Sequence, residues 1–219
     1  MTAIHGSRGQ LLTTSTPNTA ISNLELTNTG DNLTYRTPTG EQAKRYWDRT
    51  ATFVFQQSSN GSSWNTVTPS SVQYVGGRVT FASAVGGTNQ ARISSGAYLP
   101  YAAIGDILNY GFDLERDEHD TTSFTTTGTP TRNRTFIPGL AGGTFKISKF
   151  LVDATFANYL TVFTADTLIA SIVLDVTAGT QLRLESYGWI TGESSDTTID
   201  DLIMEDLEFR IDGKFYFNS

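Results

Sequence analysis

The chain has 219 residues, 22 of them acidic and 15 basic, for a net charge of -7, with 38% hydrophobic residues and no cysteine. That composition excludes a disulfide framework, a thiolate metal site and a thiol nucleophile. No stretch approaches the roughly 18 apolar residues of a membrane-spanning helix, and the opening MTAIHGSRGQLLTTSTPN shows no apolar signal-peptide core. Ser and Thr together number 53, a bias that suits β-structure because Thr is stiff at χ1 and fits a pleated surface.

Residues 1–45 read as a polar arm with first strands at AISNLELTN (20–28) and NLTYRT (32–37), and with turn chemistry at TNTGDN and TPTGEQ. A β-hairpin region follows over 46–105. There ATFVFQQ (51–57) and WNTVT (64–68) flank a turn centred on Asn60-Gly61, a short-range hairpin signal because both residues tolerate positive φ. SVQYV (71–75) and RVTFASA (78–84) flank Gly76-Gly77 in the same way. ARISSGAYLPYA (91–102) is a further strand closed by Pro100. Residues 106–219 read as the main β-core. DILNYGFDLERDE (106–118) alternates as a strand, and TTSFTTTGTPTRNRTFIPGLAGG (121–143) has the composition of a loop or extended hairpin. TFKISKFLV (144–152) is a strand. DATFANYLTVFTAD (153–166) is the one helix, with Asp153 as N-cap and Phe156, Tyr159, Leu160 and Phe163 at helical spacing. LIASIVLDVT, TQLRLESYGWIT and LEFRIDGKFYF are strands, and TTIDDLIMEDLEF (197–209) is read as strand. About ten or more short strands and one helix imply a mainly β fold, a sandwich or barrel with a helix on its flank.

Charge is uneven along the chain. Residues 1–110 carry five acids and seven bases, whereas 111–219 carry seventeen acids and eight bases. Such an acidic half argues against ordinary nucleic-acid binding, where Lys and Arg neutralise phosphates. It fits either a solvated face or a wall that repels nucleic acid. Asp113, Glu115 and Asp117 alternate and so share one face of a strand, while the run lacks the Gly and Glu positions of an EF-hand loop. A carboxylate pair for glycoside hydrolysis has no cleft attached to it. His5 and His119 are the sole histidines, and neither a nucleophile elbow nor a phosphate-binding loop accompanies them. No catalytic residue, metal ligand or cofactor is expected.

Several features occur together in the second half: Asp-Thr-Thr-Ser-Phe (120–124), FIPGLAGGTFKISKFLVD (136–153), the helix, LIASIVLDV, RLESYGWITGES (183–194) and DDLIMEDLEFRIDGKFYF (200–217). Their order resembles the major tail tube proteins of long-tailed bacteriophages, and YWDRTATFVFQQ with SVQYVGGRVTFASA is similar to patterns in some phage structural proteins. The resemblance covers about residues 46–217. It implies a tail-tube type β-sandwich or barrel with a flanking helix and a long inter-subunit loop. It further implies a non-enzymatic virion protein made in the bacterial cytoplasm, forming stacked, hexameric homo-oligomeric rings. DNA passes through without specific binding, and tail terminator, tape measure and distal tail proteins are partners. On that reading the lumen-facing acids are Asp113, Glu115, Asp117, Asp200, Asp201, Glu205, Asp206 and Glu208. The loop reaching the next ring holds Thr121, Thr125, Thr129, Arg132, Arg134 and Gly139. Two other classes fit the residues: a capsid decoration or host-binding adhesin, and a carbohydrate-binding module using Trp47, Trp64 and Trp189. Self-assembly separates the first reading from both.

Overall fold

The structure is a computed structural model that describes residues 9–14, 17–84, 90–120, 136–150, 168–173, 183–196 and 204–218. In chain order the described strands are β1 (Gly9–Thr14), β2 (Thr19–Asn28), β3 (Thr34–Arg36), β4 (Val54–Ser58), β5 (Asn65–Thr66), β6 (Ser71–Gln73), β7 (Arg78–Thr80), β8 (Gln90–Tyr98), β9 (Tyr101–Asp120), β10 (Phe136–Phe150), β11 (Leu168–Val173), β12 (Arg183–Asp196) and β13 (Met204–Asn218). The fold is mainly β, and the strands sort into two sheets. One is a closed barrel in the order β1-β11-β12-β13-β10-β9, and the other is a seven-stranded sheet in the order β5-β4-β8-β2-β3-β7-β6. The expected helix over 153–166 lies outside the described residues.

The strands of the polar arm divide between these sheets. β1 closes the barrel by pairing with both β9 and β11, Leu12 standing opposite Ala103 on one side and Ser171 on the other. β2 and β3 join the hairpins of the following region instead. Both glycine turns form. Gly61 takes φ 74° while the Asn60 side chain accepts the Ser62 and Ser63 amides at 2.9 Å, so the loop is wider than a two-residue turn. At the second turn Gly76 and Gly77 both have positive φ, 85° and 61°, a conformation that L side chains adopt only under strain. A Cβ on Gly77 would also collide with the Thr37 hydroxyl.

Four barrel strands are long rather than short. β9, β10, β12 and β13 run 20, 15, 14 and 15 residues. Residues 136–143, from the Thr/Gly/Pro tract, belong to β10, and Gly139 lies where the ladder shifts register between Pro138 and Ala141. Alternation then builds the barrel core. Phe145 and Ile147 of β10, Leu184 and Ile190 of β12, and Leu207, Phe209 and Ile211 of β13 point inward and pack together. The seven-stranded sheet has a separate, more aromatic core of Tyr35, Trp47, Phe55, Phe81 and Ile93. A third cluster joins the two: Tyr46, Val75 and Leu99 meet Ile169 and Tyr187 of the barrel. That contact buries residues 183–188 of β12 on both faces.

Candidate functional site

Two regions of the molecule carry charge in an ordered way. The first is the outer face of the wall β9-β10-β13-β12. Because Leu207, Phe209 and Ile211 face the core, Asp206, Glu208 and Arg210 between them face out and are exposed. Register carries the outward rows across the sheet. Asp113 stands opposite Thr144, Thr144 opposite Arg210, and Arg210 opposite Trp189. Lys146 pairs with Gly111 on one side and Glu208 on the other, and Gly192 completes that row. Asn109, Ser148 and Asp206 form the next. A shallow hollow of about 400 Å³ lies over Lys146, Ser148, Asp206 and Glu208, with Gly192, at the ladder shift after Ile190, on its rim.

The structure therefore brings Asp113, Asp206 and Glu208 onto one exposed face and mixes them with Lys146 and Arg210. Glu115 and Asp117 follow Asp113 at alternate positions of β9, and Glu205 sits on β13 in the register opposite to Asp206. Asp200, Asp201, Thr121, Thr125, Thr129, Arg132 and Arg134 lie outside the described residues. The tryptophans do not form one platform. Trp47 is fully buried, Trp64 lies under the Arg92 guanidinium at 4.2 Å, and Trp189 is exposed on the barrel wall. Among the described residues no group of three or more His, Asp or Glu side chains is placed to hold a metal ion.

The wall extends beyond the closed barrel. β1 covers β9 only over Gly9↔Ile107 to Thr14↔Tyr101, and β11 covers β12 only over Arg183–Gly188. Among the described residues the remaining edges, 108–120 of β9 and 189–196 of β12, have no strand beside them. The β12 edge alone is about 25 Å long at the usual rise per residue.

The second region was invisible in the sequence. Glu185 of β12 is completely buried, and four side chains donate to its carboxylate. They are Arg45 Nη2 at 2.8 Å, Tyr46 Oη at 2.6 Å, Ser171 Oγ at 3.0 Å and Asn218 Nδ2 at 2.6 Å. Ser171 and Asn218 come from the barrel, Arg45 and Tyr46 from the segment leading into the second sheet. The Gly76–Gly77 turn fits directly over the cluster, since a Cβ on Gly76 would meet Asn218 Nδ2 at 2.6 Å. Gln73 Nε2 donates to Asn218 Oδ1 at 3.2 Å, and Tyr187 Oη donates to the Trp47 carbonyl at 2.7 Å. Burial, reinforced by the Glu185 charge, holds the Tyr46 hydroxyl far above the ordinary tyrosine range, so it remains a donor. Burial likewise pushes Tyr187 up. This arrangement satisfies a buried charge and fixes one sheet against the other. Its one sequence-level trace is the run RLESYGW, where polar residues alternate as if facing water.

No protein-family model matches the chain, and no curated protein does. Among solved structures the chain is similar to the tail of an empty gene transfer agent particle computed with C6 symmetry. That overlap has a TM-score of 0.42 and 13% identity, over 55% of this chain and 87% of that one. It is also similar to a chain in the virion of a native gene transfer agent particle, with a TM-score of 0.42 and 12% identity over 54% of this chain and 89% of the other.

Proposed function

We propose that this chain is a structural protein of a virion tail that closes into rings of six copies, which stack as a tube conducting DNA. The observation that carries the reading is the long wall β9-β10-β13-β12, whose two outer edges are uncovered beyond β1 and β11 among the described residues. Neighbouring strands of the wall are all antiparallel, so β9 and β12 run in opposite directions. A rotation about an axis along the strands then sets the β12 edge of one copy antiparallel to the β9 edge of the next. Repeated head to tail, that pairing closes a ring. Long unpaired edges invite indiscriminate association unless they are covered, and closure covers every one.

In such a ring the exposed acidic face turns to the lumen. Asp113, Asp206 and Glu208 line it, together with Glu115 and Asp117 on the same strand and Asp200 and Asp201 nearby in sequence. Carboxylates repel the phosphate backbone, whereas a lining of Lys and Arg would release counterions and hold DNA in place. Lys146 and Arg210 sit singly among the acids and temper the repulsion without reversing it. Glu205, next to Asp206 on β13, completes the acidic set. The tract from Thr121 to Arg134, with Thr125, Thr129 and Arg132, reaches toward the next ring. Its partners are further copies of itself and the proteins that start, measure and end the tail.

Negative-stain electron microscopy of the purified protein across a concentration series tests the assembly. Hollow rings or tubes are expected at high concentration. A protein that stays monomeric throughout, with and without a tail initiator complex, sinks the proposal.

A further inference from the structure

The seam between the two sheets holds more positive charge than the Glu185 cluster uses. Arg36 of β3 and Arg78 of β7 are direct register partners, and Gln73 of β6 is the next residue in the same row. Their strand neighbours Tyr35 and Val79 are buried in the aromatic core, so Arg36, Arg78 and Gln73 stand on the opposite face. That face meets the barrel, because Gln73 reaches Asn218 there. Like charges directly opposite one another weaken an antiparallel pair, yet here two half-buried arginines are paired directly in register. Burial first, then the Arg36 and Arg45 charges, press the Arg78 guanidinium below its usual range. The acid beside them, Glu185, is already saturated by four donors. Among the described residues neither Arg36 nor Arg78 forms an ion pair. Among the described residues the buried Arg45 Nε has no acceptor.

We propose that this seam binds a phosphate group between Arg36 and Arg78, with the second amide hydrogen of Gln73 at its edge. Cβ atoms of directly opposed residues stand about 5 Å apart, so two long guanidinium arms straddle a ligand of a few atoms. Each planar fork matches a pair of phosphate oxygens. A phosphate group carries a charge of about -1.5 to -2 near neutral pH and neutralises both arginines. A single carboxylate would leave one of them uncompensated.

Calorimetric titration of the full chain tests the site. The ligands are inorganic phosphate, sodium chloride at matched ionic strength, and a short single-stranded oligonucleotide. Each titration is repeated on Arg36→Gln, Arg78→Gln and the exposed control Lys214→Gln. Phosphate binding beyond that of chloride is expected, weakened about tenfold or more in either arginine variant and unchanged in the control. Binding of inorganic phosphate alone identifies a free anion as the ligand. Tighter binding of the oligonucleotide, lost in the same variants, identifies an esterified phosphate. Phosphate that binds no better than chloride, or equally well to both arginine variants, overturns the proposal. Should a variant fold poorly, melting temperature replaces heat as the readout. A phosphate-dependent rise over chloride in the wild type, absent in whichever single variant folds, supports the site, and a rise of the same size in that variant overturns it.

Discussion

The two sheets solve the problem of strand edges in opposite ways. The seven-stranded sheet ends on β5 and β6, strands of two and three residues, and an edge that short offers little to pair with. The barrel wall carries its edges far past the point where β1 and β11 close it. Among the described residues one sheet ends on short strands, and the other on long edges without a neighbour. Their interiors differ to match. The short-stranded sheet packs aromatic rings in edge-on and tilted pairs, such as Tyr35 on Phe81 and Trp47 on Phe55, while the barrel is largely aliphatic with Phe145 set against Phe209 and Phe215. The seam then makes one object of two. It uses a buried carboxylate where a hydrophobic contact would allow sliding, because four directed hydrogen bonds accept a single alignment.

The strongest way to break this comparison is to hollow each core in turn. Phe145→Ala and Trp47→Ala each remove a fully buried ring, at a cost of about 3–5 kcal/mol. With the seam intact, urea unfolding followed by fluorescence and circular dichroism should move as one transition in both variants. Two separable transitions, one shifted by each variant, would mean that the sheets are independent and the seam is incidental.

Glu185→Ala attacks the joint itself. It strands the Arg45 guanidinium and the Tyr46 and Asn218 donors in a buried space, a loss of about 3–5 kcal/mol for an ion pair broken on one side. Glu185→Gln keeps an acceptor and should lose distinctly less. Hydrogen exchange at the Gly76–Gly77 turn should rise in the Ala variant, and equal losses in the two variants would show that the charge contributes nothing. Gly77→Ala comes next, at about 1–3 kcal/mol for a non-glycine residue held at positive φ, with additional crowding against Thr37. The same measurement on Gly61→Ala, in the open β4–β5 loop, isolates the backbone term, since the nearest obstacle there is the flexible end of Gln90.

What the sequence disclosed follows the same division. The hairpins β4–β5 and β6–β7 are local, and their signals, Asn60-Gly61 and Gly76-Gly77, sit between the strands that they join. Alternation in 144–148 and 207–211 likewise marks strands, and its apolar positions Phe145, Ile147, Leu207, Phe209 and Ile211 are the ones in the core. GQLLTT (9–14) announces nothing, because its partners lie near residues 101–107 and 170–173, and pairing over such distances leaves no local pattern. The candidate site was half legible for the same reason. Alternation put Asp113 on one face of a strand, and Asp206 and Glu208 entered with the family resemblance, but the rows that bring them together depend on register across β10. Glu185 was counted with the other acids, since a polar position in an alternating strand reads as solvent-facing until a second sheet covers it.

The smallest effect sharpens the comparison at the other end of the scale, in a loop that touches neither the seam nor the wall. Between β2 and β3 the Asp31 carboxylate accepts the Thr34 and Leu33 amides at 2.7 and 2.9 Å, with the Thr29 hydroxyl at 3.3 Å. Those amides, Thr34 first, lower its pKa from 3.8 to about 2. A depressed folded-state pKa stabilises the fold above the unfolded value, and the contribution is lost as pH falls through the folded one. The carboxylate should therefore support the loop at pH 5 and above, and release it between about pH 4 and pH 2. Asp31→Asn should flatten that part of the stability profile while leaving the response of the Glu185 variants to urea unchanged at neutral pH. An acid limb of the same steepness in Asp31→Asn and wild type would place the acid sensitivity elsewhere, at the seam rather than in the loop.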